Sequence, residues 1–273
     1  MRLRRFCLTA AVLLAGAAAA GDGGRSAEEV RACSRANLPD RTLRQEVALE
    51  VHDRAGGTQS RGGRFYLKRY PDHDETRSTL RLTSPIDVKG MAYLMIDRAE
   101  GDQLFLYLPS MQRVRRITGD SAGDSLMGTD FSYADIRQLH SMSAGGEATR
   151  LAPGEIDGRA VDRVALTAAA EAETPYRRIE FAVDRTTCVP LRTVFFVEGD
   201  TPRKRLEADP DSLRRIDGRW LATRLVMRDL RDGTHTVLTV EDTRYDEGVS
   251  DIIFNPRSFH MGAAGPSPGG GSG

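Results

Sequence analysis

From Leu43 onward, apolar residues recur at every second position through most of the chain. Val47, Leu49 and Val51 alternate with Glu46, Ala48 and Glu50, and Phe65 and Leu67 with Arg64, Tyr66 and Lys68. Leu80 and Leu82 alternate with Thr79, Arg81 and Thr83, Leu94 and Ile96 with Tyr93 and Met95, and Leu104, Leu106 and Leu108 with Phe105 and Tyr107. A period of two is the signature of strands with one buried face. Ala55-Gly56-Gly57, Pro85 to Gly90, Glu100-Gly101-Asp102 and Pro109-Ser110 punctuate them with turns. The pattern resumes after Gly145-Gly146, through Val164 and Leu166, Ile179, Phe181 and Val183, Val194 and Phe196, and Leu206. It continues through Leu221, Leu225 and Met227 to a hairpin signal at Asp232-Gly233, then Leu238 and Val240. This predicts about eleven to thirteen strands, mostly joined by short turns. One face of each strand reads apolar and the other polar, often with arginine. That is the pattern of one antiparallel sheet with a single dry side, curved into an open or closed barrel. Such a barrel is too wide for side chains alone to fill. Only two segments read as helices, 27–36 behind a Ser26 cap and 132–141. The interior must therefore hold helices, a ligand, or both.

The second helix closes an unusual stretch, LFLYLPSMQRVRRITGDSAGDSLMGTDFSYADIRQL, from Leu104 to Leu139. Ser132 and Asp135 have capping-box spacing, and Tyr133, Ile136 and Leu139 share one face. A long Gly/Asp/Ser loop precedes them, and long loops are uncommon unless they do something. YLPSMQRVRRI followed by SLMGTDFSYADI resembles the signature of the LolA-like outer membrane lipoprotein-sorting protein family. The resemblance extends, more weakly, from about Gln45 to Phe259. The close of the chain, from GRWLATRLVMRDL to IIFNPRSF, matches it as well.

Composition narrows the function further. Residues 1–20 read as a cleaved signal peptide: Arg2, Arg4 and Arg5, an apolar run from Phe6 to Ala15, then small residues to Ala20. Its run is too short to be read first as a membrane span. Residues 21–260 are expected to form a single domain, and 261–273 a flexible Gly/Pro/Ser tail. Removing the leader leaves 36 Lys+Arg against 39 Asp+Glu, so charge argues against nucleic acid as a partner. Only Lys68, Lys89 and Lys204 are lysines. Cys7 leaves with the leader. Cys33 and Cys188 then allow one intramolecular disulfide in an export compartment, against two unpaired thiols or a bond to another protein.

No catalytic constellation is visible. His52, His73, His140, His235 and His260 have no metal-ligand spacing with one another, with cysteine or with paired carboxylates. HExxH, CxxC and GxxxxGK are absent, so neither an enzyme nor a cofactor is expected. Asp120, Asp124 and Asp130 do not fit a calcium loop and are expected to satisfy the loop's own amides. Tyr70-Pro-Asp-His73-Asp-Glu reads as a solvated turn. Arg113, Arg115 and Arg116 read as the solvated face of one strand or as a strip for anionic headgroups or an acidic partner.

The resemblance implies a strongly curved antiparallel sheet forming an incomplete LolA/LolB-like barrel, covered by a few short helices. It implies a periplasmic carrier of lipid acyl chains or lipoproteins, working toward the outer membrane with an inner-membrane RND-type transporter. A periplasmic lipid sensor of the envelope-stress response is the alternative. On either reading, Leu49, Val51, Phe65, Leu67, Leu80, Leu82, Leu94, Ile96, Leu106 and Leu108 are the expected apolar groove. Met127, Gly128, Thr129, Asp130, Phe131 and Tyr133 are the expected cover, either a lid or a fixed part of the core.

Overall fold

The computed structural model describes residues 24–98, 101–118, 123–136, 147–169 and 174–261. The expected leader, most of the tail, Asp120, His140 and the second helix beyond Ile136 lie outside these residues. The chain enters through α1 (Ala27–Arg35), where Ser26 and Glu29 form a reciprocal capping box. A first run of strands follows: β1 (Thr42–His52), β2 (Thr58–Tyr70), β3 (Glu75–Ser84), β4 (Ala92–Asp97), β5 (Gln103–Leu108) and β6 (Arg113–Ile117). The second run holds β7 (Glu147–Ile156), β8 (Arg159–Thr167), β9 (Arg178–Asp184), β10 (Pro190–Phe196) and β11 (Lys204–Ala208). It ends with β12 (Leu213–Ile216), β13 (Arg219–Ala222), β14 (Arg224–Asp229) and β15 (Thr234–Tyr245).

Thirteen of these strands make one antiparallel sheet, in the order β6-β5-β4-β3-β2-β1-β15-β14-β11-β10-β9-β8-β7. Each run is a meander of neighbours, and the last strand, β15, joins them by pairing with both β1 and β14. The sheet does not close, because β6 and β7 are its two edges. β7 contains Pro153 and shifts register between Leu151 and Gly154. An edge strand tolerates this, since proline has no amide to donate to a neighbour. That proline hides the strand from alternation.

The curvature is measurable from contacts. β4 and β11 are six strand spacings apart, about 29 Å in a flat sheet. Yet Tyr133 stacks obliquely on Tyr93 of β4 at 4.8 Å, while Asp135, two residues on, bonds Lys204 of β11 at 2.9 Å. The sheet therefore curls around the 123–136 segment. Register shifts at Glu46/Val47, Gly62/Gly63 and Pro190/Arg192 mark where strands bend.

The concave side holds the main core, in which Val30 of α1 meets Val164, Leu166, Ile179, Phe181, Phe195, Leu206 and Met227. The convex side is drier than alternation predicts. Leu213 and Trp220 of the β12–β13 hairpin pack on Val161, Ala182 and Leu191. At the other end, Phe259 covers Ala92, Leu94 and Ile96, and Ile253 and Phe254 cover Tyr66. Glu75, read from sequence as part of a solvated turn, is 7% exposed and ion-paired with Arg77 and Arg98. No helix among the described residues is long and apolar enough to cross a membrane.

Candidate functional site

The concave face carries an apolar cavity of about 130 Å³ between the sheet and the 126–136 segment. Val47 and Leu49 of β1, Phe65 of β2, Leu80 of β3 and Leu238 of β15 form its floor. In-register pairs set them side by side, Leu49 against Leu238 and Phe65 against Leu80. Leu126, Met127, Phe131 and Ile136 form its cover, and Gln45 and Thr129 add the only polar side chains of the lining.

Of the residues expected in the groove, Leu49, Phe65 and Leu80 line this cavity. Val51, Leu67, Leu82, Leu106 and Leu108 alternate onto the same face but do not line it. Leu94 and Ile96 are a correction. Their partners in register are Thr79 and Arg77, on the convex face, where they pack under Phe259. Tyr93 and Met95 are the concave residues of β4. The strand is buried on both faces, so alternation within AYLMID orders its side chains without saying which set is inside.

The cover is a built element. Met127 and Gly128 take left-handed backbone at φ of 53° and 73°, which reverses the chain in a tight turn. Thr129 closes the turn, its hydroxyl donating to Leu126 O at 2.7 Å, and Leu126 N donates to Phe131 O at 2.7 Å. Ser132 and Asp135 then exchange capping bonds, Ser132 N to Asp135 Oδ2 at 2.7 Å and Asp135 N to Ser132 Oγ at 3.2 Å. Leu126, Phe131, Tyr133 and Ala134 are all buried in the main core. The segment thus plugs the concavity as part of the core.

A buried polar network fastens this plug. Lys204 Nζ donates to Asp130 O at 2.8 Å and to Asp135 Oδ2 at 2.9 Å. Tyr176 donates its hydroxyl to Asp135 Oδ1 at 2.5 Å. Burial first, and the Asp135 charge second, push the Tyr176 phenol far above its usual range, so it stays a donor. The Asp130 carboxylate accepts from Thr236 Oγ1 at 2.6 Å and from the Thr234 hydroxyl. Asp130 is therefore committed to β15, and among the described residues no group of three acidic, histidine or cysteine side chains could hold a metal ion. The sequence marked Asp135 only as a cap and Lys204 only as one of three lysines, and it did not mark Tyr176, Thr234 or Thr236. The one available signal was lysine itself, rare in a chain that elsewhere uses arginine.

At the far side, the structure joins Cys33 of α1 to Cys188 in the β9–β10 turn, with Cα atoms 5.5 Å apart. Asn37 Nδ2 donates to Thr187 O at 2.8 Å beside it. These bonds hold α1 over the β7–β8 end of the sheet.

Residues 74–261 match a family model described only as uncharacterized-protein-like. The chain belongs to that family. No curated protein matches it. Among solved structures, it is similar to a DUF1329 family protein from Desulfovibrio piger, at 26% identity and a TM-score of 0.78, covering 84% of this chain and 95% of that one. It is also similar to a putative outer membrane lipoprotein-sorting protein domain from Vibrio parahaemolyticus, at 20% identity, a TM-score of 0.75 and 86% and 98% coverage. A LolA superfamily protein from Nitrosomonas europaea follows, at 18% identity, a TM-score of 0.66 and 85% and 98% coverage. The family's fold is thus LolA-like: one bent, open antiparallel sheet with few helices.

Proposed function

We propose that this LolA-like protein is a non-enzymatic periplasmic carrier that shelters the acyl chains of a lipid or lipoprotein. The observation that carries the reading is the apolar cavity between Val47, Leu49, Phe65 and Leu80 and its cover. Removing an acyl chain from a membrane exposes about 0.8 kcal/mol of apolar surface per CH₂, so a carrier needs a dry groove and few polar anchors. The lining here meets that need. The LolA-like fold and the lipoprotein-sorting description of a structural neighbour support the same cargo class. The outer membrane as destination and an RND-type transporter as partner rest on the family resemblance alone.

Size sets a condition on the mechanism. A void of about 150 Å³ holds a benzene ring, and this one is about 130 Å³. A long acyl chain therefore enters only if the 126–136 plug moves off β1–β3. Binding is then coupled to breaking the Lys204–Asp135 contacts or to bending the turn ahead of them.

Displacement of a fluorescent fatty acid tests the reading, together with mass spectrometry of lipid extracted from protein purified without denaturant. Leu49→Arg places an unpaired cation in the cavity and should abolish binding. Met127→Asn suits the left-handed backbone at that position, keeps the fold, and should weaken binding several-fold. A wild-type protein that neither binds fatty acid nor retains lipid would sink the carrier reading.

A further inference from the structure

The convex face carries a second cavity, of about 210 Å³, which the groove does not share. Arg64, Arg81 and Lys89 line it, with Thr79, Ile253 and Phe259 among its other walls, and no carboxylate is among the described residues of its lining. Arg64 and Arg81 stand directly opposite each other in the β2–β3 ladder. Like charges in that relation repel. Arg64 has Glu46 at 2.6 Å, a carboxylate it shares with Arg44 at 2.9 Å. Neither Arg81 nor Lys89 has an ion-pair partner among the described residues. Two uncompensated cations thus meet at one half-open cavity.

We propose that this cavity is a binding site for a phosphate monoester, held by Arg81 and Lys89. The charges decide between anions. A phosphate monoester carries roughly −1.5 to −2 at neutral pH, which matches two free cations, whereas a carboxylate matches one. A guanidinium offers its paired donors to phosphate in a fixed fork. Ile253 and Phe259 give the ester's carbon an apolar wall. That wall is fixed, because Thr79 donates its hydroxyl to Ile253 O at 2.6 Å. His260, next to Phe259, supplies a built-in reporter. Its ring stacks on Tyr107 at 4.1 Å, and its Nδ1 is buried without a hydrogen-bond partner. Burial, and after it the Arg81 charge, hold the His260 pKa below the usual imidazole value. An anion on Arg81 cancels the second of these effects.

The test follows the His260 imidazole by NMR in the full exported chain. Inorganic phosphate and glycerol 3-phosphate are titrated separately. Vesicles of phosphatidic acid are compared with vesicles of phosphatidylcholine by co-sedimentation. Expected are saturable binding and an upward shift of the His260 titration with any soluble probe that binds. Arg81→Gln should weaken binding at least tenfold and Lys89→Gln several-fold, while Arg214→Gln, an exposed cation on β12, changes nothing. Binding of the soluble probes assigns a free phosphate; binding of phosphatidic acid vesicles alone assigns a lipid headgroup. No binding of any probe, or binding that Arg81→Gln and Lys89→Gln leave unchanged, overturns the proposal. Fatty-acid displacement from the groove is measured on the same variants and should be unaltered, so the two readings fail separately.

Discussion

Tyr176 is buried between the plug and Phe195, whose ring lies 4.9 Å away, and its hydroxyl reaches Asp135. A phenol held there must stay protonated. Its folded pKa stands above the unfolded value of about 10, so the stability it contributes is present below that pH. It is lost as pH rises, because the unfolded chain gives up the proton first. Tyr176→Phe should therefore be less stable than wild type at neutral pH, by about 1–3 kcal/mol for a lost bond to a buried charge. It should also lose less stability than wild type between about pH 9 and 11. Urea unfolding followed across that range checks both. Lys204 makes a complementary point about residue choice. Its compact ammonium meets a carbonyl and a carboxylate in one narrow site, where a planar guanidinium would need more room.

At the scale of the element, the 123–136 segment combines a left-handed turn, a capping box and two aspartates, each with a partner on the sheet. A buried ion pair adds little net stability over an apolar pair of similar volume, but removing one member leaves a stranded charge. Lys204→Met should cost about 3–5 kcal/mol, and Lys204→Met with Asp135→Leu should recover most of it. The double variant separates fastening from folding. If the plug must leave β1–β3 to admit an acyl chain, fatty-acid exchange should be faster in the double variant than in wild type while its midpoint in urea stays close. Unchanged exchange would place the opening elsewhere along the cover.

At the scale of the molecule, the two meanders meet only through β15 in the sheet, and α1 is bonded to the β9–β10 turn by Cys33–Cys188. The bond spans 155 residues of sequence, including all of the first meander. On the chain-entropy account a loop of this length contributes on the order of 4–5 kcal/mol. Counting thiols on unreduced, denatured protein should find none for this pair. Reduction, or Cys33→Ala with Cys188→Ala, should lower the urea midpoint without loss of the sheet signal in circular dichroism. Two free thiols would remove this tie.

Much of this protein is decided locally and so can be read from the chain alone. Ser26–Glu29 and Ser132–Asp135 are three residues apart, so their capping bonds depend only on helical geometry. Glycine and proline turns set the hairpins, and period two fixes which side chains along one strand share a face. Alternation fixes nothing about which face that is. In β1 to β3 the opposite face is charged, so Leu49, Phe65 and Leu80 could be placed on the concave side. In β4 both faces are apolar, and only Phe259, arriving from the end of the chain, makes Leu94 and Ile96 convex. The same holds for the plug. Leu126, Phe131 and Tyr133 announce that they need burial, but their partners lie far along the chain, at Tyr93, Tyr176, Lys204 and Thr236. Those contacts exist because the last strand brings two meanders into one curled sheet. That pairing of β15 with β1 and β14 is a property of the assembled chain, and the cavity follows from it.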